Sequence, residues 1–477
     1  MTTRATPDAK LTAGTKPTSD AKLTAGTKLS RIIAEQEEIF VRRQPSSARL
    51  AVQAAQHLTG GVTSSWQITA PQPVWLSHGR GSKVWDVDGN EYVDLHGGYG
   101  AALAGHAHPA IARAITSQAQ NGTHFAQPTP DAVTVAAELA SRFGLPSWRF
   151  ANSGTEATMD AVHLMRSITG RDLIIKIEGC YHGHHDSVQV SVAPEPEDAG
   201  PRHKPASAPS SSGIPRAITD LTLIATFNDL DSVARLLDEH EGQIAGMILE
   251  PVMMNAGIIK PEPGYLANLK SLLHDHDALL TFDEVKTGLT VGPGGVTRAE
   301  NVQPDLITLA KSLGGGVSVA AIGGTGQAMA HVANGGYEMV GTFNGNPLAM
   351  AATRAMLTEV ATPEAYDRIE RLRQRAAAGI QEAITANGLT AHVVTAGAKG
   401  CVVFAADQVT SYRGFLGVDD RYSHAHWLVQ HNGGVFLPPW GKIEQWLISV
   451  QHDEADIDRL TENFAVFARA VGPGSRG

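Results

Sequence analysis

Residues 279–316 read LLTFDEVKTGLTVGPGGVTRAENVQPDLITLAKSLGGG. LLTF is a short apolar run that ends on Asp283 and Glu284, and LITLA is a second one that ends just before Lys311 and the glycines 314–316. Short apolar runs bounded by turn residues read as strands buried on both faces. Working outward, WRFAN, LIIKIEG, LTLIATF, AGMILEP and VAAIGG repeat the pattern, with helical stretches such as 156–169 and 266–275 between them. Strands alternating with helices predict an α/β fold with a mainly parallel sheet covered on both faces, and a ligand at the carboxyl ends of its strands.

Around this centre, residues 30–43 and 46–57 read as helices, and 75–95 as a hairpin about an Asp-Gly-Asn turn. A helix is expected over 109–120. Residues 192–215 hold six prolines and many serines, which suits a long surface loop. A perfect repeat, DAKLTAGTK, occupies 8–16 and 20–28; it offers no face to bury, so residues 1–29 read as a disordered extension.

With 477 residues and 42% hydrophobic content the chain can build a large core, and its net charge of −10 argues against a nucleic-acid surface. No window approaches the roughly 18 consecutive apolar residues of a membrane span. Two cysteines, Cys180 and Cys401, make no disulfide framework, which points to the reducing cytoplasm.

A buried carboxylate at a strand end and a lysine on a glycine-constrained turn are what a pyridoxal phosphate enzyme needs. The lysine amine bonds to the cofactor's aldehyde, and the carboxylate keeps the pyridine nitrogen protonated. Asp283 and Lys311 take these roles. Lys286 competes for the second, but three residues beyond Asp283 it would point away on the strand, and it reads as a surface lysine. In FANSGTE, residues 150–156, a strand leads into a helix through Ser153, Gly154 and Thr155. Amides and hydroxyls at a helix start hold phosphate, although an ordinary N-cap looks the same. In GCYHGHHD, residues 179–186, a metal reading competes with a ring of Tyr181 laid on the cofactor; the adjacent His184 and His185 would diverge, so no metal is expected.

Taken together, DEV…PDL…LAKSLGGG, NSGTE, YHG and EPV-x-x-N resemble the class III (ω-type) aminotransferases, in the branch of the glutamate-1-semialdehyde aminomutases and D-phenylglycine aminotransferases. The resemblance covers roughly residues 46–468. It implies fold type I, with 30–108 and 346–470 packing as a smaller α+β domain from both chain ends and 109–345 as the large domain. Pyridoxal 5′-phosphate as cofactor, small-molecule amine and oxo-acid substrates, and a homodimer with active sites at the subunit interface follow from it. It also implies cofactor contacts at Tyr181, His182, Asn255 and Val285, a structural role for Glu250, and Thr342 of GTFNGNP reaching a partner's phosphate. Where the aminomutases carry GGVNSPVR, residues 60–67 read GGVTSSWQ, so the carboxylate-binding arginine is replaced by Gln67, which cannot make the two-pronged charged contact. Trp66, Gln67 and Tyr99 are therefore the substrate candidates. Trp440 and Trp446 line a pocket or pack in the core. An aminotransferase of aromatic or apolar amino compounds is the expectation; the aminomutase, a racemase on the same site and a catalytically silent scaffold are the alternatives.

Overall fold

The computed structural model describes residues 20–439, 441–443 and 445–473. Near its start, strands β1 (Leu76–Arg80), β2 (Lys83–Asp86) and β3 (Glu91–Asp94) form antiparallel hairpins. The Asp-Gly-Asn turn closes because Gly89 adopts φ 85° and Asp86 Oδ1 accepts from the backbone N–H of Asp88 and Asn90 at 3.0 and 2.8 Å.

The seven apolar runs all become strands of one sheet: β4 (Ser147–Ala151), β5 (Leu173–Ile177), β6 (Thr222–Ala225), β7 (Ile244–Leu249), β8 (Leu279–Asp283), β9 (Leu306–Leu309) and β10 (Ala320–Gly324). Their order is β4-β10-β9-β8-β7-β5-β6; β10 runs antiparallel to both neighbours and the other pairings are parallel. Successive side chains alternate between two cores. Ile174, Ile248, Leu306 and Ile322 pack with Ala161, Val162 and Met165 of helix Gly154–Thr169 on one face. Ile175, Met247, Phe282, Ile307 and Ala321 join Val135, Leu139, Leu269 and Met350 on the other. β8 lies in the middle, so whatever it ends on is carried to the centre of the sheet's edge.

Beyond the sheet come β11 (His392–Ala396), β12 (Lys399–Val403), β13 (Val435–Phe436) and β14 (Trp446–Leu447). β13 pairs in parallel with β3, which ties a late strand to an early sheet; β11, β12 and β14 form a separate sheet. The first helix differs from the reading of the sequence. It runs Asp20–Arg43 and takes in the second DAKLTAGTK, whereas the first copy falls outside the described residues. The proline-rich stretch folds back on itself, with Ser191 N–H donating to Ala208 O at 2.7 Å and Ala206 N–H to Ala199 O at 2.9 Å. Tyr412 Oη then holds Pro194 O at 3.2 Å, and Arg413 bonds both Ala199 O and Glu178.

Candidate active site

Five strand ends empty into one cavity of about 320 Å³, lined among others by Ser153, Tyr181, Glu250, Asp283 and Lys311. Asp283, the last residue of β8, is buried and tightly held. Its Oδ2 meets His182 Nδ1 at 2.7 Å, while Oδ1 accepts from Val285 N–H at 3.0 Å and Thr308 Oγ1 at 3.3 Å. His182 is thus placed on the carboxylate, and among the described residues its buried Nε2 has no hydrogen-bond partner. Glu284 is spent elsewhere, accepting from Val296 N–H, Thr297 N–H and Thr297 Oγ1.

Lys311 follows β9 in a left-handed conformation, φ 49°, that residues other than glycine rarely adopt. Burial depresses the pKa of its amine, with Asp283 and Glu250 opposing the shift. Lys286 is not the surface lysine read from the sequence. β8 stops at Asp283, the alternation stops with it, and the side chain turns into the cavity. Its Nζ donates to Asn255 Oδ1 at 2.6 Å and Met254 O at 3.1 Å. Glu250 is structural: it accepts from Tyr181 N–H at 3.0 Å, Met254 N–H at 3.0 Å and Asn255 Nδ2 at 2.8 Å, fixing the two loops that bear Tyr181 and Asn255.

Ser153 caps helix Gly154–Thr169, accepting from Glu156 N–H at 3.2 Å, and the first turn opens on the cavity. A Cβ on Gly154 would lie 3.0 Å from Val285 Cγ1, and one on Gly183 (φ +97°) would lie 2.6 Å from Thr155 Oγ1. These two glycines let the helix start, Val285 and the Tyr181 loop close around the same space. The donors at the helix start, the orphaned His182 Nε2, Asp283 and the Lys311 amine together fit a ring-bearing phosphate ester with an aldehyde. His184 is exposed and faces Thr155 Oγ1 at 3.3 Å. His185 is half-buried: it packs near Thr158, and burial pushes its pKa down to about 3. Among the described residues no cluster of His, Cys, Asp or Glu is placed to hold a metal ion.

Of the substrate candidates, Trp66 meets Tyr99 edge-on at 5.0 Å, and Tyr99 meets His96 at 4.6 Å; the lining of the cavity includes neither Trp66 nor Tyr99. Gln67 differs from the sequence reading. Its Oε1 accepts from Thr63 N–H (2.9 Å), Thr63 Oγ1 (2.7 Å) and Ser64 N–H (3.1 Å), so its acceptor closes its own loop rather than facing a ligand. Thr342 is exposed on a separate groove with Arg149 and Phe150 and does not line the cavity. Trp446 is core, whereas Trp440 falls outside the described residues. Lys399 was missed: it is buried on β12, and its signal was a lone charge in the apolar run AGAKGCVVFA.

Residues 67–463 match the family model of the class-III aminotransferases. The chain belongs to that family. It is 37% identical over 423 residues, 87% of this chain and 96% of the relative, to glutamate-1-semialdehyde 2,1-aminomutase 2 of Brevibacillus brevis. The solved glutamate-1-semialdehyde aminomutase of Pseudomonas aeruginosa PAO1 in complex with PMP superposes with TM-score 0.86 at 28% identity, covering 93% of this chain and 99% of that one. The β-phenylalanine aminotransferase of Variovorax paradoxus gives 0.80 at 28% identity, covering 92% and 97%. This class-III aminotransferase therefore has the fold type I architecture expected, and the cofactor of the class is pyridoxal phosphate.

Proposed function

We propose that this class-III enzyme transfers an amino group between an aromatic or apolar amino compound and an oxo acid in two half-reactions. The cofactor, when bound, supplies an electron-poor ring that stabilises negative charge on the substrate carbon. In this reading Ser153, Gly154 and Thr155 hold its phosphate at the helix start, and Tyr181 and Val285 flank its ring. Asp283, braced by His182, holds the proton on the ring nitrogen, Asn255 faces the phenolic oxygen and Lys311 is the covalent anchor. Once displaced, Lys311 Nζ takes a proton from the amine-bearing carbon and returns it; the depression of its pKa by burial enlarges the neutral, basic fraction. Thr342, exposed and off the cavity, reaches the phosphate of a second copy in a homodimer. Both cysteines are free and buried, which supports a cytoplasmic enzyme, and among the described residues no helix is long and apolar enough to cross a membrane.

The observation that carries the substrate reading is Gln67. The position that resembles the aminomutases' arginine holds a neutral side chain whose oxygen is engaged by Thr63 and Ser64, beside an aromatic wall of Trp66 and Tyr99. A second reading, the intramolecular aminomutase, is favoured by the 37% identity to the Brevibacillus brevis enzyme. A half-reaction panel separates them: D- and L-phenylglycine, β-phenylalanine, alanine, an arylalkyl amine and glutamate semialdehyde, followed by the visible absorbance of the bound cofactor. Bleaching by an aromatic substrate with release of its oxo product supports aminotransfer. Conversion of glutamate semialdehyde alone, without an added acceptor, refutes it in favour of the aminomutase.

A further inference from the structure

Lys286 is a second amine in the cavity that the proton transfer above does not use. Its two hydrogen bonds, to Asn255 Oδ1 and Met254 O, occupy two of the three N–H groups of an ammonium, and its Nζ stands 5.9 Å from the ring centroid of Tyr99. Among the described residues it makes no ion pair within 4.0 Å. The nearby carboxylates are committed, Glu250 to the Tyr181 and Met254 amides and Asp283 to His182 and Val285 N–H.

Lys399 adds to the imbalance. Its side chain is 2% exposed, and its amine has one described partner, Gln445 Oε1, at 3.4 Å. A methyl built on Gly100 would meet Lys399 Nζ at 3.7 Å and Lys311 Cδ at 3.8 Å, so both lysines border the space over that glycine. The groups facing Lys286 are thus the amines of Lys311 and Lys399, the carboxylates of Glu250 and Asp283, and the rings of His96 and Tyr99. Burial holds His96 neutral, its pKa down to about 4.

We propose that Lys286 anchors the carboxylate of an amino-acid substrate, with the Lys399 amine behind it. This rests on the amino-transfer reading and narrows it: the substrates are amino acids and oxo acids, and amines without a carboxylate are poor. The Tyr99 ring, 5.9 Å from Lys286 Nζ, then lies beside the same carboxylate. Burial, and next the Lys311 charge, push the Lys286 amine down to about 7. A bound carboxylate favours the ammonium, so binding takes up a proton: affinity is complete below pH 7 and falls as pH rises above it.

The test is calorimetry of the holoenzyme with phenylacetate and with pentanoate, carboxylates that have no amino group to transfer. It uses the parent, Lys286→Met and Lys286→Arg, in two buffers of different ionisation enthalpy. Lys286→Met should weaken at least one probe by about 10- to 100-fold, the range of a charge-assisted hydrogen bond. It should also abolish the proton uptake, and Lys286→Arg should keep most of the affinity. Selectivity for phenylglycine over benzylamine should fall in step. Loss confined to pentanoate keeps the anchor but removes the aromatic reading. If neither probe loses affinity in Lys286→Met while its fold and cofactor content match the parent, the anchor is wrong.

Discussion

Replacing Gly154 by alanine would probe the proposed phosphate seat directly. The new methyl would lie 3.0 and 3.1 Å from the two Cγ atoms of Val285 and 3.6 Å from Ala310 Cβ. Carbons pack at about 3.5–4.0 Å, so Val285 or the helix start must yield by about 0.5 Å or more. Val285 has little freedom: its χ1 is stiff, and its N–H is tied to Asp283 Oδ1 at 3.0 Å. Overpacking of this kind costs about 1–3 kcal/mol, and losing a flexible glycine returns only about 0.4–1 kcal/mol. The melting temperature should therefore drop by a few degrees. The larger effect is on the cofactor, because the displaced amides lose charge-assisted hydrogen bonds to phosphate and binding should weaken about 10- to 100-fold.

The assay is titration of the apoenzyme with pyridoxal phosphate, read by visible absorbance, alongside thermal melting by circular dichroism. Val285→Ala removes the colliding methyls, so Gly154→Ala should cost far less affinity in the Val285→Ala background than in the parent, a coupling of about 1 kcal/mol or more. Parental affinity in Gly154→Ala would place the phosphate elsewhere. An equal loss from Gly154→Ala in the Val285→Ala background would refute the steric argument even if the single variant binds poorly.

Other consequences are as open to measurement. His182→Leu leaves Asp283 Oδ2 without its 2.7 Å partner and should lower stability by about 1–3 kcal/mol in denaturant unfolding; an unchanged midpoint would show the contact to be idle. If Thr342 serves a second copy, mixing Lys311→Ala with Thr342→Ala protein rebuilds one intact site per mixed dimer. Turnover should then exceed that of either variant, and no gain would return Thr342 to its own chain. Burial alone would raise the pKa of Asp94, but the His106 hydrogen bond, the neighbouring His96 and the Gly97 N–H outweigh it and hold it low. Its stabilisation is thus present above about pH 4 and is lost as pH falls through the depressed value. Asp94→Asn should flatten the acid limb of a stability–pH curve, and a curve parallel to the parent's would contradict this.

What could be read in the sequence was what a single strand or turn determines. All seven runs of the large sheet were legible because both their faces are buried, and Asp283 and Lys311 because each follows such a run. Lys286 was misread because period-2 alternation was carried three residues past Asp283, where the strand has already ended. Gln67 was misread in another way: its chemistry excluded the arginine's role, but only the folded loop shows its oxygen turned back on Thr63. Lys399 stood out as a charge inside an apolar run, yet nothing local to β12 says that it comes to rest beside Lys311 over Gly100. These errors concern one quantity, the charge of the pocket. The sequence suggested one lysine against one carboxylate, whereas the folded chain gathers three amines around two carboxylates that backbone amides and His182 already engage. Burial pushes all three amines toward their neutral forms, and an anion placed beside them reverses that shift. A phosphate at the helix start and a substrate carboxylate at Lys286 are the anions that the proposed function would bring there.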